Sequence, residues 1–175
     1  MPKKPSYIDF DHDKFRDSLK TYNLKGEIGV LSYKYSKKVH PHWKFKTPEL
    51  AKKSAKDIYT LFLDNVNLSK TDYYKINNGI MSDRLIKKFI KADICKKFLL
   101  MGYTRSMRYY YHKSGVKWGQ KNGKWYVLPF DFDPDKKISA LIFKKVYEQA
   151  KNNDTYLALR TYFKKNYHKY TKDVV

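Results

Sequence analysis

The sequence predicts a mostly α domain with a small β element, an α+β fold in which a compact set of helices carries a helix-turn-helix-like corner and one β-hairpin. Three observations lead there. Apolar residues recur at helical spacing in several long segments. Thr47-Pro48-Glu49 and Asp133-Pro134-Asp135 are helix starts, and Asn122-Gly123 separates two runs rich in Trp, Tyr and Val. At 175 residues the chain suits one ordinary hydrophobic core. The reading is a polar N-terminal arm over residues 1–27, a single domain over 28–170 and a tail over 171–175.

Residues 13–22 of the arm have the pattern of a short helix. Ile28–Tyr33 reads as a strand, rich in branched and aromatic side chains and closed by the polar run Lys34 to Lys38. His40 to Lys46 reads as extended, because Pro41 disfavours helix at the residue before it. The next helix starts where Thr47 caps, Pro48 fits the first turn and Glu49 suits the positive end. It runs to about Asn65, with Leu50, Ala51, Ser54, Ala55, Ile58, Leu61 and Phe62 on one face. Asn65 to Asn78 reads as polar and irregular, with a turn at Asn77-Asn78-Gly79.

Ser82-Asp83 opens a second helix through Leu85, Ile86, Phe89, Ile90, Ile94, Phe98 and Leu99, expected to stop near Gly102. Thr104 is placed to cap a third, through about His112. Val116–Trp118 and Lys124–Leu128 flank Asn122-Gly123 and predict the hairpin. After Asp133-Pro134, Ile138, Leu141, Ile142, Val146 and Ala150 give a helix its apolar face. Asp154 then opens a last helix to about Tyr170, carrying Leu157, Leu159, Tyr162 and Phe163.

Charge is the main chemical signal. Lys+Arg number 38 against 17 Asp+Glu, for a formal net charge of +21. An AT-rich coding sequence would also raise the lysine content, but it would not segregate the acids. Between Leu85 and Lys124 there are eleven Lys or Arg residues and a single acid, Asp93. Asp9, Asp11, Asp13 and Asp17 lie to one side, and Asp131, Asp133 and Asp135 to the other. Aromatic residues are threaded through the same basic stretch. Cations neutralise phosphates and release their counterions while flat rings stack on bases, so this combination points to nucleic acid.

Other chemistries find less support. Asp9-x-Asp11-x-Asp13 and Asp131-x-Asp133-x-Asp135 resemble the opening of a calcium loop, but the sixth position is Lys14 or Lys136 and the twelfth Lys20 or Ile142. Capping and turn formation account for them better. His40-Pro41-His42 lacks the partners of a metal site. There is no phosphate-binding Walker loop, no dinucleotide glycine pattern and no serine nucleophile elbow. No cofactor or catalytic residue is assigned. The single cysteine, Cys95, lies among Ile94, Phe98 and Leu99 and reads as a small buried hydrophobe. The sequence has neither an apolar run of membrane length nor a signal-peptide pattern, which implies a soluble protein of the cytoplasm or, for a virus, of the host cytoplasm or virion.

The segments Pro41–Glu49, Ser54–Tyr59, Ala92-Asp93 with Lys97–Arg105, and Arg108-Tyr109 with His112–Gly115 resemble domain-of-unknown-function family 4385, as does Asp133-Pro134-Asp135-Lys136. The resemblance runs from about Ile28 to Phe163. It implies a bacteriophage, bacterial or eukaryotic domain and brings no established activity. Val66 to Arg84 is longer than the family's usual connection, which suggests an insertion. Val116 stands where the family pattern tends to have Arg, which weakens a fixed cation site after Gly115.

The leading expectation is a virus-encoded nucleic-acid-binding protein. Arg105 and Arg108 would contact phosphates or base edges. Lys96, Lys97, Lys113, Lys117, Lys121 and Lys124 would set an electrostatic track, and Tyr109, His112 and Trp118 would stack. The helix-turn-helix outline, which an ordinary helical corner shares, leans toward duplex DNA over RNA. Two alternatives stand beside it. One is a phage counter-defence sponge that holds a phosphorylated nucleotide in a pocket closed by Arg105, Arg108 and His112. The other is a metal-dependent enzyme acting on nucleic acid through Asp93 or the acids toward the two ends.

Overall fold

In the computed structural model, Leu24 and residues 35–112, 115–130 and 132–171 are described, with side chains to Asn166. Six α-helices and one two-stranded antiparallel sheet are found among them. A short helix α1 (Ser36–Val39) runs into a 3-10 turn, His40–His42. Then come α2 (Pro48–Asn65), α3 (Lys70–Asn77) and the 29-residue α4 (Asp83–Tyr111). Strands β1 (Trp118–Lys121) and β2 (Lys124–Val127) form the hairpin, followed by α5 (Pro134–Lys151) and α6 (Asp154–Thr171).

Helix α4 is the axis, about 44 Å long at 1.5 Å per residue. It packs along α5, α2 and α6. From Leu85 to Gly102 its buried positions fall on every side, among them Ile86, Phe89, Ile90, Ile94, Cys95, Phe98 and Leu99. A helix with buried positions on every side is one enclosed by its neighbours, and only Lys87, Lys88, Lys91, Lys96 and Leu100 of this stretch are partly exposed. The neighbours supply Ala51, Ala55, Ile58 and Phe62 from α2, Phe143 and Ala150 from α5, and Tyr156, Leu159 and Phe163 from α6. Phe89 stacks on Phe163 with ring centroids 4.9 Å apart.

The α2 start forms as its signals predict: Thr47 Oγ1 accepts from Leu50 N at 3.2 Å. Asp133 caps α5 by accepting from Asp135 N at 3.1 Å. That is the capping role expected of this acid. The hairpin also forms, with Asn122 at φ 51° and Gly123 at φ 75°. Such a pair of left-handed residues gives the turn whose twist matches the strands. The register pairs Trp118 with Val127, Gly119 with Tyr126, Gln120 with Trp125 and Lys121 with Lys124.

Three expectations are corrected. Asn65 to Asn78 is not irregular, because Lys70–Asn77 is helical. Ser69 Oγ accepts from Asp72 N and the Asp72 carboxylate accepts from Ser69 N, a reciprocal cap written in the sequence as Ser-x-x-Asp. Burial raises the Asp72 pKa, but the Ser69 hydrogen bonds and the Arg84 guanidinium outweigh it and hold the carboxyl below its ordinary value. His40 to Lys46 is not extended throughout: the 3-10 turn takes His40–His42, and the chain opens only at Trp43.

The third correction removes the helix-turn-helix-like corner. The helices expected on either side of Gly102 are one helix, α4, with no turn between them. Thr104 caps nothing, and its hydroxyl bonds back to Met101 O at 3.3 Å. Gly102 is present because α5 comes so close: a Cβ there would lie 2.4 Å from the Phe143 ring. A glycine inside a helix costs about 1 kcal/mol against alanine. Here the close helix packing outweighs that. The strand read at Ile28–Tyr33, the helix at residues 13–22 and the 172–175 end of the tail lie outside the described residues.

Two measurements check this architecture. Gly102→Ala should lower the unfolding free energy by about 1–3 kcal/mol in a urea titration, the usual cost of overpacking, despite the better helix propensity of alanine. Phe143→Leu in the same chain should recover part of the loss. Cys95 is buried, and burial pushes its thiol up to about 12. A disulfide reagent at pH 8 should therefore label native protein only as fast as the chain unfolds, and label urea-denatured protein at once.

Candidate nucleic-acid interface

The predicted contact residues separate into three groups. Lys96 and Lys97 turn inward to Asp93, which is fully buried. Lys97 Nζ lies 3.0 Å from Asp93 Oδ2, and Lys96 Nζ 3.3 Å from Oδ1. The Tyr156 hydroxyl from α6 donates to Oδ1 at 2.6 Å. Burial pulls the Lys97 ammonium below its ordinary value while Asp93 pulls it back up. Burial, and then the Asp93 charge, push the Tyr156 phenol up. With Lys151 and Arg160 these lysines line a cavity of about 390 Å³. Lys97 cannot serve as a surface track for a polymer. Arg105 and Arg108, by contrast, are exposed on the last turns of α4.

The second group holds the end of α4 against the loop that follows. His112 is buried, its ring centroid 5.3 Å from that of Phe130, and its Nδ1 has no hydrogen-bond partner among the described residues. Tyr109 is half-buried and lies under Gly115, where a Cβ would come within 2.8 Å of its ring. Of the three residues expected to close a nucleotide pocket, His112 is buried while Arg105 and Arg108 are exposed. Tyr109 instead belongs to a cavity of about 580 Å³ on the other side, with Trp43 and Phe45. Lys113 lies outside the described residues.

The third group is exposed and occupies one element. Lys117, Trp118, Lys121 and Lys124 all lie at the hairpin surface, and neighbouring Trp125 is 68% exposed. Residues that face each other across a sheet share a face. Trp118, Val127, Gln120 and Trp125 therefore line one side. Lys117 Nζ sits 5.7 Å from the Trp118 ring centroid. On the other side Tyr126 folds over Gly119, and Lys121 stands directly opposite Lys124. Like charges opposed across a ladder repel, and an anion bound between them relieves the repulsion.

The hairpin rises from the C-terminal end of α4: Gly115 N donates to His112 O at 2.8 Å, and Asp133 N to Tyr110 O at 3.1 Å. Beside it lies an aromatic patch that sequence reading passed over in part. Phe130 and Phe132, both more than half exposed, stack 6.0 Å apart and meet Tyr111 and Tyr110. Lys137 Nζ lies 5.5 Å from the Tyr110 ring centroid. Two phenylalanines bracketed by Pro129 and Pro134 were the available signal, since neither can bury itself on a helix face there.

Among the described residues no group of three or more His, Cys, Asp or Glu converges as a metal site. His42 Nδ1 lies 3.7 Å from Asp57, and His40 packs edge-on against Phe98. No described helix is long and apolar enough to cross a membrane. Among known proteins, the family model described as a domain of unknown function (DUF4385) matches residues 5–166. No curated protein and no solved structure matches.

The buried cluster makes a sharp prediction about stability. Asp93→Asn takes away the carboxylate that faces the buried Lys97 ammonium and should cost about 3–5 kcal/mol in denaturant unfolding. Adding Lys97→Met, which removes the buried ammonium as well, should restore a large part of it.

Proposed function

The chain belongs to the family described as a domain of unknown function (DUF4385), a description that carries no activity, and from the chemistry of its surface we propose that it binds nucleic acid through the hairpin and the C-terminal end of α4. One observation carries the reading. Trp118 and Trp125 lie exposed on a single hairpin face, and Lys117, Lys121 and Lys124 are on the same element. An isolated two-stranded hairpin is marginal in water, and exposed tryptophans add an unfavourable apolar surface. Bases stacked on the rings and phosphates set on the lysines would offset both.

The net charge of +21 supplies the field that brings a polyanion to this surface. Arg105 and Arg108 extend the cationic surface along the helix that ends at the hairpin. With α4 continuous, the ground for preferring duplex DNA is gone. Exposed rings favour unstacked bases, so single-stranded DNA or RNA is the better fit. Acting as a binder, the protein needs no catalytic group.

Titration with a single-stranded oligonucleotide at several salt concentrations tests this. The logarithm of affinity should fall linearly with the logarithm of salt, at about −0.7 per phosphate contacted. Trp118→Ala with Trp125→Ala should weaken binding by about 1–3 kcal/mol for each base stack lost. Arg105→Ala with Arg108→Ala should flatten the salt slope by about one phosphate contact each, while Lys52→Ala on the exposed face of α2 changes little. A folded Trp118→Ala, Trp125→Ala variant that binds like the parent would contradict the hairpin as the contact surface.

A further inference from the structure

A second candidate site has no residue of the hairpin strands in its lining. We infer that the cavity walled by Trp43, Phe45 and Tyr109 binds a single nucleotide, base against the rings and phosphate on Lys44, Lys46 and Lys136. Its volume of about 580 Å³ falls within the range of small-molecule sites. Trp43 and Phe45 have ring centroids 5.2 Å apart and tilted by 54°, and Phe45 and Tyr109 5.6 Å and 51°. Neighbouring faces at such angles let a planar base lie flat on one ring with its edge toward the next.

Every charged residue lining this cavity is a lysine. Lys136 Nζ donates to the Lys46 carbonyl, which ties the start of α5 to the segment before α2, and the Lys44 amide donates to Ser54 Oγ at 3.0 Å. These bonds hold the wall in place without any ligand. Leu50 and Lys136, on the first turns of α2 and α5, both line the cavity, so the packing of these two helices fixes its walls. An apolar interior with cations around it, and no acid in its lining, suits an aromatic anion. The choice of a nucleotide over another aromatic phosphate rests on the nucleic-acid reading above. The nucleotide is either free or an unstacked residue of a bound strand.

Calorimetric titration of the full chain with adenosine 5′-monophosphate, uridine 5′-monophosphate, ribose 5-phosphate and inorganic phosphate tests the pocket. Both nucleotides should bind about tenfold or more tighter than ribose 5-phosphate, as one base stack implies. Leu50→Glu places a carboxylate in the wall at an exposed position, and Lys44→Glu with Lys46→Glu reverses the charge. Each variant, checked for folding by circular dichroism, should lose most nucleotide binding, while Lys52→Glu with Lys53→Glu controls for total charge. Nucleotides binding no tighter than ribose 5-phosphate, or parent-like binding in either pocket variant, would overturn the inference. Competition identifies the source. Displacement of the mononucleotide by a short oligothymidylate supports a pocket that takes a base of the strand, and persistence under saturating oligothymidylate supports one for free nucleotide. Should oligonucleotides not bind the protein at all, the mononucleotide titration still decides the pocket.

Discussion

Enclosure of α4 is the constraint on which the rest of the structure depends. From Leu85 to Gly102 this helix has buried positions on every side, so each buried polar group it carries there must find a partner within the protein and each close contact must fit. Asp93 meets the first demand with Lys96, Lys97 and the Tyr156 hydroxyl, which also joins α6 to the axis. Gly102 meets the second by letting the Phe143 ring of α5 reach the helix backbone. Being unbroken, α4 carries its last turns beyond the core. There Arg105 and Arg108 emerge and the hairpin begins.

Much of this was legible in the sequence where local chemistry decides the outcome. Thr47-Pro48-Glu49 and Asp133-Pro134 open helices, Asn122-Gly123 makes the hairpin, and Cys95 is buried. The failures share a physical cause. Gly102 followed by Thr104 has the local look of a turn, but whether a glycine ends a helix or admits a neighbour depends on what packs there. Phe143, far along the chain, cannot be read from the local pattern. Ser69 and Asp72 were legible as a capping box, and the polar composition of Val66–Arg84 masked them.

The candidate surface shows the same division. The excess of cations over acids between Leu85 and Lys124 was plain, as was the hairpin that presents Trp118. What charge counting could not reveal is that Lys97 faces a buried carboxylate and that His112 turns under Phe130. Both depend on which face of α4 the other helices cover. The aromatic cavity was hidden for a related reason: Trp43, Tyr109 and Lys136 are distant in sequence and meet only when α2, α4 and α5 have packed.

In the proposed mode of binding, Coulombic attraction brings a polyanion to the chain, and stacking on the hairpin holds it there. The central claim is that the hairpin is where the bases lie. Ultraviolet cross-linking of a single-stranded oligonucleotide to the intact chain, followed by mass-spectrometric mapping of the modified peptides, addresses it most directly. Cross-links at Trp118 and Trp125 are expected. Cross-links confined to the exposed face of α2, around Lys52 and Lys53, would contradict it.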